Sequence, residues 1–274
     1  MGRILLFFIS AQIFYCLSSC KKGYLDKPMV EVIQPMVLKG ITKDVGPNIG
    51  GYYAGLPGDY YLSLKSYPLL LYMHGGGQFG NGAADLPNLL SEGIPALLDT
   101  KKFPSAIKAG GQSYSFLVMA PQFRSYPSNP DVQAFLDFVK TNYRIDAARI
   151  YVTGFSQGGR ITCDYAAYQP TIISAIVSMA GASNSYVAEK CKNIVDAKLA
   201  VWAFHNKEDE LIPAQETENF ISMMNGFNPS VLPRLTIFPN SSAPLKHDAW
   251  TKATDPDYKE NGLNIYEWML QFKR

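Results

Sequence analysis

Histidine, cysteine and charge are all scarce in this chain. Its 274 residues include three histidines and four cysteines, and only 18% are Asp, Glu, Lys or Arg. The net charge is +2, and neither a Lys/Arg block nor a basic stripe interleaved with aromatics occurs, which argues against a nucleic-acid partner. Internal repeats and low-complexity linkers are also missing, so nothing marks a boundary between two domains. No apolar run spans a bilayer comfortably; the one at residues 4–17 is too short and is broken by Ser10 and Gln12. What is abundant is apolar surface: 47% of the residues are hydrophobic, enough to bury a substantial core and to exclude extensive disorder.

The first residues have the pattern of a targeting segment. Arg3 supplies a positive start, the apolar run follows, and small residues close it. Leu17-Ser18-Ser19-Cys20 resembles the lipobox of bacterial lipoproteins. That resemblance implies cleavage before Cys20 and a lipid on its sulfur. Residues 1–19 would then be a signal peptide and 20–28 a tether, with the folded domain at 29–274. The product is expected to be membrane-anchored, periplasmic or at the cell surface, held by lipid and not by a spanning helix. Cys16 leaves with the signal, and Cys163 and Cys191 remain. An oxidising compartment permits a disulfide between them, but spacing does not require one, and buried thiols are an equal expectation.

Residues 30–38, 50–53 and 60–64 look like antiparallel edge strands, bounded by glycines and prolines. Apolar runs suited to buried parallel strands follow at 69–73, 116–120, 150–153, 175–179, 199–204 and 234–238. Helical patterning lies at 86–98, 132–143, 157–168 and 214–225, with a last stretch at 263–272. Edge strands followed by alternating strands and helices predict a single doubly wound α/β domain, built on a mostly parallel eight-stranded sheet with antiparallel N-terminal edge strands.

The chemistry centres on Gly154-Phe155-Ser156-Gln157-Gly158, placed between a strand and a helix. A Gly-x-Ser-x-Gly turn in that context holds its serine in a strained conformation with the hydroxyl exposed. The next backbone N–H, that of Gln157, points where an oxyanion would form. Such a serine needs a base, and the base needs an acid. In the order nucleophile, acid, histidine, the acid belongs in the loop after strand 199–204, which offers Glu208, Asp209 and Glu210. Only His247 follows all three. His74 opens His74-Gly75-Gly76-Gly77, a turn whose backbone around Gly76 suits the second side of an oxyanion hole, with His74 as its brace. His205 is expected to be a hydrogen-bonding strut at a strand end.

In combination these blocks resemble the α/β-hydrolase superfamily. The resemblance covers roughly residues 69–273 and includes Ala120-Pro121-Gln122, Trp202 to Pro213 and His247-Asp248-Ala249-Trp250. More narrowly it points to a bacterial group of peptidase-like and esterase proteins, similar to polyhydroxybutyrate depolymerases and feruloyl esterases. It implies Asp209 as the acid. Asn206 departs from that group, which usually has glycine there, and residues 241–246 lengthen the loop before His247. The expectation is a serine carboxylic ester hydrolase with Ser156, His247 and Asp209 as its triad and Gln157 and Gly76 at the oxyanion. It would need no metal or cofactor, and would act on small or polysaccharide-linked esters, acetyl or feruloyl. A serine peptidase on the same scaffold is the alternative; a surface binding protein is a third reading, disfavoured because such proteins generally lose a triad member.

Overall fold

A strand that is buried at every position must be covered on both faces, and four such strands organise this molecule. The computed structural model describes residues 34–182, 187–239 and 241–274. The signal sequence, Cys20 and the tether expected from the sequence lie outside the described residues. In chain order the elements are β1 (Val37–Thr42), β2 (Ile49–Leu56), β3 (Tyr67–Met73), α1 (Gly93–Asp99), β4 (Ile107–Ala109), β5 (Gln112–Tyr114) and β6 (Leu117–Phe123). They continue with α2 (Asn129–Asn142), β7 (Ile145–Phe155), α3 (Gln157–Tyr168), β8 (Ala175–Met179), α4 (Ala188–Asp196) and β9 (Ala200–Asn206). The last are α5 (Ala214–Gly226), β10 (Arg234–Phe238), α6 (Trp250–Ala253) and α7 (Ile265–Met269).

Eight strands form one sheet in the order β1-β2-β6-β3-β7-β8-β9-β10. β1–β2 and β2–β6 are antiparallel, and every pair from β6–β3 to β9–β10 is parallel. β3, β6, β8 and β9 are buried throughout. The two-residue period of a strand divides their side chains between two cores. Leu69, Leu71 and Met73 join a cluster with Phe135 of α2, Ile161 of α3, Ile194 of α4 and Phe220 of α5. Leu70 and Tyr72 join the opposite cluster, with Leu98 of α1, Trp250 of α6 and Trp268 of α7. Helices therefore cover both faces, the α/β-hydrolase arrangement expected from the sequence.

Local departures have local causes. Residues 60–64 form turns, not a strand: Tyr60 N–H bonds Pro57 O and Leu62 N–H bonds Asp59 O. Tyr61, Leu62 and Leu64 are exposed, and of these Tyr61 meets the sheet through Lys39 of β1. The expected helix 86–98 is interrupted, a 3-10 segment over Leu86–Ser91 preceding α1. Gly93 breaks it with φ +66, where a Cβ would lie 2.0 Å from the Tyr72 hydroxyl. Helix α4 is too polar to stand out, burying only Cys191, Ile194 and Val195.

Cys163 and Cys191 are both buried thiols, not halves of a disulfide. Burial pushes Cys163 up to about 12 and Cys191 up to about 11, so neither forms the reactive thiolate near neutral pH. Ellman's reagent at pH 8 is expected to titrate neither of them in the native protein and both after denaturation. Rapid native labelling of Cys163 or Cys191, located by peptide mapping, would contradict this packing.

Candidate active site

Strand β7 ends at Phe155 and helix α3 begins at Gln157, leaving Ser156 alone between them at φ 53, ψ −123. A side chain held in this region costs on the order of 1–3 kcal/mol, so its surroundings must enforce it. Ser156 N–H donates to Met179 O at 2.8 Å, and Ser156 O accepts from Arg160 N at 3.1 Å. The glycines on either side let strand and helix close on this turn. A Cβ on Gly158 would lie 2.0 Å from Met73 O, and one on Gly154 would lie 2.6 Å from that oxygen and from the Gly158 backbone. Neither position has room for a side chain.

The hydroxyl meets a histidine carried by the far end of the sheet. His247 Nε2 lies 2.9 Å from Ser156 Oγ, and His247 Nδ1 lies 2.6 Å from Asp209 Oδ2. Asp209 Oδ1 accepts the Leu211 and Ile212 N–H groups at 2.9 and 2.8 Å. Burial works against the Asp209 anion, but hydrogen bonds from His205, His247 and the Ile212 N–H outweigh it and hold the carboxyl well below the usual range. His247 Nδ1 therefore carries a proton toward Asp209, and Nε2 is left to accept from the serine. Of the three acids the spacing left open, Asp209 is the one in contact with His247. Glu208 and Glu210 turn to Lys246 Nζ, at 3.1 and 3.3 Å.

Two buried residues hold this pair of loops. His205 Nε2 lies 2.8 Å from Ile212 O and 3.2 Å from Asp209 Oδ2, while Nδ1 lies 2.7 Å from Thr217 Oγ1. With acceptors on that side, Nε2 bears the proton and the threonine hydroxyl donates to Nδ1. Asn206 uses the side chain that glycine lacks: its Nδ2 donates to Lys246 O at 2.8 Å, one residue before His247. Glu210 N–H adds a bond to Leu245 O at 2.9 Å. Leu245 and Lys246, at φ 53 and 51, make the tight reversal that lets this chain return. Trp250 then wedges the imidazole, stacking on Phe155 at 4.2 Å between ring centroids and meeting His247 edge-on at 5.2 Å. The strut expected of His205 is present, whereas the bonds from Asn206 to Lys246 and from Glu210 to Leu245 join residues far apart in the chain and leave no local pattern.

Gln157 is the first residue of α3, so its N–H has no intrahelical acceptor. Gly76 opens a 3-10 turn over Gly76–Gln78 and lies against Gln157, for a Cβ there would sit 2.9 Å from the glutamine Cδ and Nε2. Gly76 thus packs on the Gln157 side chain, the residue next to Ser156. His74 is wholly buried; Nδ1 donates to Gly75 O at 2.8 Å and Nε2 accepts from Phe123 N–H at 3.0 Å. Both ring nitrogens are committed to bracing the loop. Among the described residues, no group of His, Cys, Asp and Glu side chains could hold a metal ion.

A family model for the dienelactone hydrolase family matches residues 114–254, just over half of the chain, including Ser156, Asp209 and His247. The chain belongs to the dienelactone hydrolase family. A curated relative is the bifunctional acetylxylan esterase/xylanase of Neocallimastix patriciarum, 27% identical over 143 residues, which are 48% of this chain and 21% of that protein. The match thus spans about a fifth of the relative's length. Solved structures share the fold. A thermostable esterase superposes with a TM-score of 0.61 at 20% identity, covering 88% of this chain and 63% of its own. A serine-to-alanine variant of the Clostridium thermocellum feruloyl esterase module, complexed with sinapinate, has a TM-score of 0.56 at 15% identity, covering 85% of this chain and 90% of its own.

Burial pushes His74 down to about 4, against an unfolded value near 6.5. An unfolded chain takes up a proton on this ring below pH 6.5 that the folded chain refuses. The neutral ring's contribution is therefore complete above pH 6.5 and is lost as pH falls toward 4, for a total of about 3 kcal/mol. Urea unfolding at pH 7 and pH 4.5 should show that decline, and NMR should find the folded His74 ring unprotonated at pH 5. A His74 titration midpoint near 6.5 in the folded protein would refute the bracing geometry.

Proposed function

We propose that this protein is a serine carboxylic ester hydrolase acting through a covalent acyl-enzyme. The observation that carries the reading is the unbroken line from Ser156 Oγ through His247 to a buried, four-fold hydrogen-bonded Asp209. His247 Nε2 takes the serine proton as Oγ bonds to the ester carbonyl carbon. The oxyanion is received by the N–H groups of Gln157 and Gly76, each donor worth on the order of 3 kcal/mol. The proton on Nε2 passes to the departing alkoxide, and the C–O bond of the ester breaks. Water, deprotonated by the same nitrogen, then releases the acid and restores Ser156. Asp209 stays ionised throughout, fixing the ring and balancing the imidazolium. Side chains and backbone carry every step, with no metal or cofactor required.

Acetyl and feruloyl esters of polysaccharide are the proposed substrate class. The acetylxylan esterase named above motivates the acetyl arm. Initial rates on p-nitrophenyl acetate, methyl ferulate and a prolyl anilide test the reading. Ester turnover should fall on the order of 10³-fold or more in Ser156→Ala and roughly 10⁴-fold in Asp209→Asn, which keeps the shape but loses the anion. Full esterase activity in Ser156→Ala would end the proposal, and anilide cleavage as fast as ester cleavage would turn it into a peptidase.

The lipobox-like Leu17-Ser18-Ser19-Cys20 supports a further expectation, that the enzyme is tethered to a membrane by lipid on Cys20. No helix among the described residues is long and apolar enough to cross a membrane. Expression in a bacterium fed labelled palmitate should label the wild type and not Cys20→Ser. Equal labelling of the two would remove the anchor.

A further inference from the structure

A cavity of about 300 Å³ opens beside the triad. Among the described residues its wall includes His247 and Trp250, but not Ser156, Gln157 or Gly76. This asymmetry has chemical meaning. The proton that His247 removes from the serine is delivered to the leaving alcohol, so that alcohol must lie within reach of Nε2, on the imidazole side of the serine. The oxyanion and acyl group occupy the other side, toward Gln157 and Gly76. A space in contact with the imidazole alone is therefore the place for the alcohol half of an ester.

The charge of that space is one-sided. Glu92, at the start of α1, and Asp248, next to His247, both line it, and apart from His247 no basic side chain among the described residues does. Lys246, the cation nearest in sequence, is held outside by Glu208 and Glu210. Asp248 spends one oxygen on the Thr251 N–H at 2.8 Å. Partial burial, then the charge of Asp248, push the Glu92 carboxyl upward, and the imidazole of His247 opposes them, the response of two neighbouring anions whose one facing cation is the catalytic ring itself. Leu211 and Leu245, both largely exposed, supply apolar wall for alkyl groups.

We propose that this cavity is the alcohol-side subsite, and that Glu92 and Asp248 fit it to an ammonium-bearing alcohol and set it against a carboxylate-bearing one. The inference rests on the ester hydrolase reading and adds to it the charge class of the alcohol. Uncharged sugar hydroxyls are tolerated, and uronate esters are disfavoured.

Three butyrate esters test it by pH-stat at low salt: butyrylcholine, its uncharged isostere 3,3-dimethylbutyl butyrate, and the anionic 3-butyryloxypropanoate. The readout is the ratio of kcat/KM values within each variant, so a general loss of activity cancels. The cationic ester should exceed the neutral one by roughly tenfold and the anionic one should fall below it by a similar factor, the scale of a half-solvated charge pair a few ångströms apart. Glu92→Gln and Asp248→Asn should each reduce the spread several-fold, and the double variant and 0.5 M salt should bring all three ratios toward one. Asparagine at 248 keeps the acceptor for Thr251, so a folding loss does not obscure the result. A spread unchanged in the double variant overturns the subsite, as does equal turnover of all three esters by the wild type. If the neutral ester shows no Ser156-dependent turnover, the hydrolase reading itself fails, and the two failures are thereby told apart.

Discussion

Ser156 is held in a backbone conformation that a serine would not adopt unaided, and the middle of the sheet is built to hold it there. The amide is tied to Met179 on β8, and the carbonyl is absorbed into α3. Gly158 rides so close to the Met73 carbonyl of β3 that no Cβ fits between them. Three neighbouring parallel strands therefore converge on one residue. The energy stored in the turn is supplied by burial of β3, β7 and β8 against helices on both faces, and the return is a hydroxyl whose position is fixed before any substrate arrives.

The acid and the base are positioned by different means. They lie on loops after β9 and β10, where regular hydrogen bonding has ended, and side chains must do the aligning. Asp209 collects donors from two histidines and two backbone amides. That makes it an anion despite its burial and a rigid point against which His247 can be oriented. Asn206 ties the base-bearing loop back to the strand from which the acid loop departs, and Trp250 closes the ring from the side. The nucleophile is thus set by backbone strain and the acid–base pair by a buried polar network, in which each unsatisfied member would be costly.

What could be read from the chain tracks the range of the interactions involved. Uniformly apolar strands and the Gly154–Gly158 turn depend on neighbours in sequence, and both were legible. The order of nucleophile, acid and histidine reduced three histidines to one because the loops of this fold follow its strands. The strand expected at 60–64 failed because apolar and aromatic content speaks of burial but not of sheet pairing: Tyr60 is buried from within a turn, and Tyr61, Leu62 and Leu64 stay exposed. Helix α4 was invisible because its apolar stripe is only three residues wide. The latch from Asn206 to Lys246 and the Glu92 carboxylate beside the triad arise from segments far apart in the chain, and no periodicity announces them.

The placement of the triad on the sheet also joins its two halves to strands of different surroundings. Ser156 sits above the central strands, whereas the base follows β10, an edge strand paired only with β9, with Thr236 and Phe238 buried and its other residues partly buried. Fraying begins at such margins, in cooperative units smaller than the whole domain. An opening confined to the β10 margin would withdraw His247 and leave the strands beneath Ser156 paired. Catalysis therefore depends on the closure of a sheet margin as well as on the strands beneath the serine.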